Sequence, residues 1–185
     1  MTVTDDRARL TGAYTLDPAH TRIGFVARHA MVTKVRGAFN DFTGTARIDG
    51  AHPEESSVEL TIKAESIDTR NADRDGHLRS NDFLDMAQYP EITFRSTGVR
   101  PTGDDTFDVT GDLTIKGVTR PVTVPFTYEG NATDPFGNSR IGLEGSTTIN
   151  RQDFGITWNA ALETGGFLVS DKITLEFEVS AVRQG

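Results

Sequence analysis

The chain has 185 residues with 27 Asp and Glu against 19 Lys and Arg, a formal charge of −8, at a size that all-β sandwiches and barrels reach with one core. An acidic balance without a run of basic residues argues against nucleic acid, whose phosphates must be met by clustered Lys and Arg. Cysteine is absent, which removes disulfides, thiolate catalysis, iron–sulfur clusters and cysteine-held zinc.

The first 17 residues carry two early acids, Asp5 and Asp6, and no apolar run of the length that export requires. No stretch is long and apolar enough to span a bilayer, so a cytoplasmic protein is expected. Residues 1–12 are expected to be a flexible segment and 13–185 one domain. Strand-like segments follow at 22–29, 34–48, 57–65, 91–100, 106–116, 120–131, 138–149 and 172–180, rich in Thr, Val, Ile and Phe and separated by turn residues. Two are nearly pure in their alternation. Val58, Leu60, Ile62 and Ala64 share one face of the third segment, and Ile173, Leu175, Phe177 and Val179 one face of the last. Glycines at 37, 44, 111, 142 and 145 mark bends or bulges within strands. The only long helical segment is expected at about 71–87, ahead of Pro90, with short turns near 150–154 and 159–164. About eight long, bent, antiparallel strands with one apolar face imply an all-β sheet closed into a barrel, because closure removes exposed edges.

The segment around 71–90 invites a chemical reading. Asn71, Asp73, Asp75, Gly76, Leu78 and Asp82 fall at calcium-loop spacing, but a strand precedes them, and Asp82 stands where a bidentate Glu is normal. His20, His29, His52 and His77 form no ligand pair at short spacing, so no metal is expected. Gly137-Asn-Ser-Arg-Ile-Gly142 has the wrong spacing for a nucleophile elbow and reads as a hairpin turn. Asp104-Asp105 and Glu54-Glu55 sit in polar turns. Neither a catalytic constellation nor a cofactor motif emerges. Phe25, Phe39, Phe42, Phe83, Phe94, Phe126, Phe154 and Phe167 are spread along the chain, as a many-stranded interior requires. They fit a ligand cavity and a filled core equally well.

The ordered pieces Tyr14-Thr-Leu-Asp-Pro-Ala-His-Thr21, Gly37-Ala-Phe39, Ser66-Ile-Asp-Thr69, Arg74-Asp-Gly-His-Leu-Arg-Ser80, Tyr89-Pro90, Gly111-Asp-Leu-Thr-Ile-Lys-Gly-Val-Thr119, Arg151-Gln-Asp-Phe-Gly155 and Val169-Ser-Asp171 carry a family resemblance. From about 14 to 182 the chain resembles the YceI-like family of bacterial lipocalin-like β-barrels. Tyr14, Thr21 and Leu84 depart mildly from residues common there, namely Trp, Ser and Phe. The resemblance implies a lipocalin-like antiparallel barrel whose elongated apolar tunnel takes an isoprenoid lipid, either a polyprenyl chain or an isoprenoid quinone, without catalysis. By family position the expected tunnel residues are Phe25, Ala27, His29, Phe39, Ile62, Phe94, Phe126 and Phe154, with Phe83 and Leu84 projecting from the helical cover. Arg74, His77 and Arg151 are the expected head-group contacts, since guanidinium and imidazole donate to a quinone carbonyl or a phosphate. An Arg74–Asp75 ion pair fixing the cover is the competing reading. The competing functions are an enzyme acting on the head group through His29 or His77, and a solid-core interaction module. A homodimer and at most transient contact with a membrane surface complete the expected partners.

Overall fold

The computed structural model describes residues 7–163 and 166–184. In chain order the strands are β1 (Gly12–Leu16), β2 (Arg22–His29), β3 (Thr33–Phe39), β4 (Phe42–Ile48), β5 (Ser57–Lys63) and β6 (Ile67–Asp68). Helix α1 (Ala72–Arg79) follows, and then β7 (Glu91–Pro101), β8 (Thr106–Ile115), β9 (Val118–Thr133), β10 (Ser139–Asn150) and β11 (Lys172–Arg183). All pairings are antiparallel, and the order β1-β4-β5-β7-β8-β9-β10-β11 closes on itself through β1 and β11. β2 continues the line of β1 along β11, β3 continues β4, and β6 continues β5. The barrel therefore has eight staves, three of them broken in mid-course. Strand β1 lies outside the segments expected from the sequence, being too short to show a period.

Each break has a local cause. Asp17 accepts from the Ala19 N–H at 3.0 Å, turning the chain between β1 and β2. The Thr21 hydroxyl then donates to the Ser180 carbonyl and accepts the Ser180 N–H, both at 3.0 Å, so a side chain supplies the ladder bonds that the backbone leaves out. The expected single arm 34–48 divides at Asn40-Asp41, where the Asn40 N–H donates to the Ser66 carbonyl at 3.2 Å and the Asp41 carbonyl accepts the Lys63 N–H at 2.9 Å.

The helix is shorter than the 71–87 expected from sequence. Asn71 caps it by accepting the Arg74 N–H at 2.9 Å, and Asp73 and Asp75 in its first turn suit the positive end of the dipole. It stops because Ser80 competes for the backbone: its hydroxyl donates to the His77 carbonyl at 2.6 Å, and successive turns follow through Tyr89. The turn at Arg151–Phe154 forms as a 3₁₀ helix. Around 159–163, by contrast, Ala161 bridges to Phe167 instead of coiling; residues 164 and 165 lie outside the described set, as do 1–6 and 185.

Candidate functional site: an apolar lumen and its cover

Inward parity builds the interior. Val58, Leu60 and Ile62 from β5 and Ile173, Leu175, Phe177 and Val179 from β11 face a cavity of about 340 Å³, with every stave contributing aliphatic or aromatic side chains. That volume falls within the ordinary range for small-molecule pockets, roughly 300–1,000 Å³. The aromatic rings do not fill it, because they lie along the wall. Phe25 faces Gly37 across the β2–β3 ladder and Phe126 faces Gly145 across β9–β10. A Cβ on either glycine would come within 2.3 Å of the Phe25 ring or 2.7 Å of the Phe126 ring. Phe94 lies on Gly111 in the same way. Glycine thus gives each ring a recess in the wall, which keeps the middle of the barrel open.

Among the described residues, polar groups reach the lumen only near its ends. Arg7, Ser56, Ser57 and Tyr128 line one end, where Arg7 pairs with Asp105 and sits 5.6 Å above the Tyr128 ring. At that end residues 7–11 form a turn, the Leu10 N–H donating to the Arg7 carbonyl at 2.9 Å. Arg151 lines the opposite end.

The cover at the Arg151 end consists of α1, the turns after it and the 151–170 segment. Phe83 and Leu84 are buried and face the lumen, as Leu78 does. Arg74 and Asp75 do not seek each other; both turn to Thr69. Asp75, buried, accepts the Thr69 N–H at 2.8 Å and its hydroxyl at 2.5 Å, while Arg74 donates to the Thr69 hydroxyl oxygen and carbonyl, each at 2.7 Å. His77 lies 2.9 Å from Asp82 and meets Phe83 and Trp158 edge-on, with centroids 5.0 and 4.6 Å away. The carboxylates that mimicked a calcium loop therefore diverge: Asp73 is exposed, Asp75 points to Thr69 and Asp82 to His77.

Arg151 is 3% exposed. Its Nε donates to the Ser170 carbonyl at 2.9 Å, Nη1 to the Ile156 and Trp158 carbonyls at 2.7 and 2.9 Å, and Nη2 to the Val169 carbonyl and Asp171 at 3.4 Å. Those contacts use all five guanidinium N–H groups. Burial lowers its pKa and Asp171 opposes the shift, yet guanidinium remains charged throughout the working range.

Of the thirteen expected site residues, Phe25, Ala27, Phe39, Ile62, Phe83, Leu84, Phe94, Phe126, Arg151 and Phe154 line the lumen. His29 is exposed at the end of β2, and Arg74 and His77 sit in the cover outside the lining. Phe42 packs in the core and Phe167 turns outward. Trp158 and Val169 escape a reading of the sequence, because they lie in an irregular segment where no period operates.

The YceI-like domain family matches this chain over residues 14–181. A UPF0312 protein of Azotobacter vinelandii is 41% identical over 165 residues, 89% of this chain and 83% of its own length. Among solved structures, BcnA of Burkholderia cenocepacia superposes with a TM-score of 0.79 at 28% identity, covering 89% of this chain and 98% of that one. A polyisoprenoid binding domain from Saccharophagus degradans shares the fold at a TM-score of 0.70 and 17% identity, covering 92% and 98%. The eight-stave barrel and its helical cover thus sit within a matched span of most of the chain, and the chain belongs to the YceI-like family.

Proposed function

We propose that this protein is a non-enzymatic carrier of an isoprenoid lipid, polyprenyl chain or isoprenoid quinone, held with its tail in the barrel lumen. The observation that carries this reading is the apolar cavity of about 340 Å³, which every stave lines and whose polar groups are confined to its two ends. A branched hydrocarbon suits such a space. Each buried five-carbon unit contributes roughly 3–4 kcal/mol gross at about 0.8 per carbon. A few such units then offset several kcal/mol of association and ordering cost and leave roughly micromolar affinity. The Saccharophagus degradans domain, named for polyisoprenoid binding, has the same architecture, and the lumen chemistry here fits that class of ligand.

Arg74 and Arg151 hold Thr69 and the 151–171 backbone, so their part in binding is to keep the cover in place. An enzymatic reading has less support, because His29 and His77, its acid–base candidates, lie outside the lumen lining. Native mass spectrometry of protein incubated with a long-chain isoprenoid in detergent tests the proposal. A one-to-one adduct with chemically unchanged lipid is expected, and a folded protein that takes up none contradicts it.

A further inference from the structure

Exposed apolar side chains gather at one place on the covered end. Met31 is 62% exposed, Val32 77% and Phe167 59%. The first two form the tip of the β2–β3 hairpin, and the third lies on the segment before β11. The two elements are joined: the Ala30 N–H donates to the Leu168 carbonyl at 2.8 Å, His29 bridges to Val169, and the Met31 sulfur packs on Gly166. The hairpin turn is itself unusual. Ala30 and Met31, the central residues of a turn closed by the Val32 N–H donating to the His29 carbonyl at 3.2 Å, both have positive φ, 51° and 65°, within the three-residue loop between paired His29 and Thr33. Asn-Gly relaxes such a turn, whereas Ala-Met strains it and presents a long apolar side chain to solvent.

The charge around the tip runs against that of the whole molecule. The outer groove beneath Met31 and Phe167 is lined by four cations, Arg28, Lys34, Arg36 and Lys172, and two carboxylates, Asp171 and Glu176, in a chain of net charge −8. Asp171 already accepts from Arg151 and Gln152, and Glu176 pairs with Arg36 at 3.4 Å, which leaves Arg28, Lys34 and Lys172 as the cations for an incoming anion. Glu163, between Ala161 and Phe167, is one further acid on the same segment. Ala27 and Val169 line both this groove and the lumen, so the two spaces come closest under the apolar tip.

We infer that this tip docks on an anionic phospholipid surface, with Met31, Val32 and Phe167 entering the interface and the surrounding Lys and Arg meeting lipid phosphates. An apolar wedge ringed by cations is the combination that holds a protein on such a membrane. The inference rests on the carrier reading, since it places the Ala27–Val169 boundary where a lipid would cross between bilayer and lumen.

Flotation with phosphatidylcholine vesicles, with and without phosphatidylglycerol, tests it. Wild-type protein should float with the anionic vesicles and lose that association in high salt. Ala30→Asn with Met31→Gly relaxes the turn while removing Met31 from the wedge; it should melt no lower than wild type and bind about tenfold more weakly, a difference of about 1.4 kcal/mol. Lys34→Glu with Lys172→Glu should weaken anionic binding while the fold is retained by circular dichroism. Wild-type failure to float, equal binding to neutral vesicles, or wild-type binding by both folded variants overturns the inference. A two-chain mass abolished by the same substitutions, without flotation, overturns it in favour of self-association. Isoprenoid uptake from detergent, read by native mass spectrometry, separates the two proposals: normal uptake without flotation overturns the docking surface alone, and flotation without uptake overturns the carrier alone.

Discussion

The wall of the lumen and the cover over its end are built from opposite chemistry and obey different rules. Along the wall, alternation rules: a residue two positions from an inward Leu is itself inward, the parity shifts at a bulge such as that between Ser96 and Gly98, and Phe25, Phe94 and Phe126 find room because glycines stand beside them. In the cover no such rule operates. Arg74, Asp75, Arg79 and Arg151 look like ligand contacts by type, yet they are spent on protein groups such as Thr69, the Glu65 carbonyl and the carbonyls of the 151–171 segment. An irregular segment has backbone groups that no strand or helix satisfies, and buried ones must find partners. In this barrel the wall encloses the apolar space, and the buried charges of the cover brace the elements at one end of it.

That division can be broken most sharply by placing a charge in the wall. Phe94→Asp removes a packed ring and leaves a carboxylate with no partner in an apolar cavity; a loss above about 4 kcal/mol in urea unfolding, or loss of the fold, is expected. Wild-type melting with wild-type lipid uptake would show that Phe94 does not face the lumen. The next largest effect belongs to the cover. Arg151→Leu shortens the side chain and strands four carbonyls, at a cost of about 3–5 kcal/mol, while Arg151→Lys, with three donors, should fall between it and wild type. If Arg151→Leu instead keeps full stability and loses only lipid uptake, Arg151 is a ligand contact and the division fails.

A smaller change sharpens the role of the glycine recesses. Gly37→Ala, whose added Cβ would meet only the Phe25 ring at close range, pushes that ring off the wall, costing about 1–3 kcal/mol by overpacking and narrowing the lumen, so lipid uptake should drop with it. Gly142→Ala is the control, since its added Cβ would meet nothing nearer than 3.7 Å. Equal effects from the two would remove the recess explanation.

The smallest effect concerns the outer face of the wall. Arg140 donates to Asp17 at 2.6 Å and to Asp134 at 2.7 Å. Hydrogen bonds from His20 and then Arg140 hold Asp17 at about 2, against an ordinary 3.8. Asp134 is held at about 2 by Arg140 first and the Asn138 N–H second. Folded values below unfolded ones mean that the stabilisation is present above about pH 4 and is lost as pH falls toward 2. Arg140→Met should therefore lower the melting temperature slightly at neutral pH and flatten its decline between pH 4 and 2, with lipid uptake unchanged. A decline as steep as that of wild type would assign acid sensitivity to other groups.

Much of the wall is legible in the sequence itself. The segments 57–65 and 172–180 name their own inward faces, and the turn residues between strands give the hairpins. The breaks are not legible, because β1 is five residues long and the division at Asn40-Asp41 depends on bonds to Ser66 and Lys63, distant in sequence. Spacing points to helix α1 but overruns it, since Leu78, Phe83 and Leu84 face inward through successive turns that imitate helical spacing. Polar site residues are the hardest. A sequence shows that Arg151 is a guanidinium, but not that it sits among five acceptors. Nor does it show that Met31 and Phe167 line one groove, since they lie on a strained turn and a loop more than a hundred residues apart.

Photoaffinity labelling tests the central claim most directly. A polyprenyl alcohol carrying a diazirine near the far end of its chain, bound and irradiated, should label inward residues of the wall such as Leu113, Phe126 or Phe177, and a saturating unlabelled isoprenoid should abolish the signal. Labelling confined to outward positions, or labelling that competitor does not reduce, would contradict a lipid tail held in the lumen.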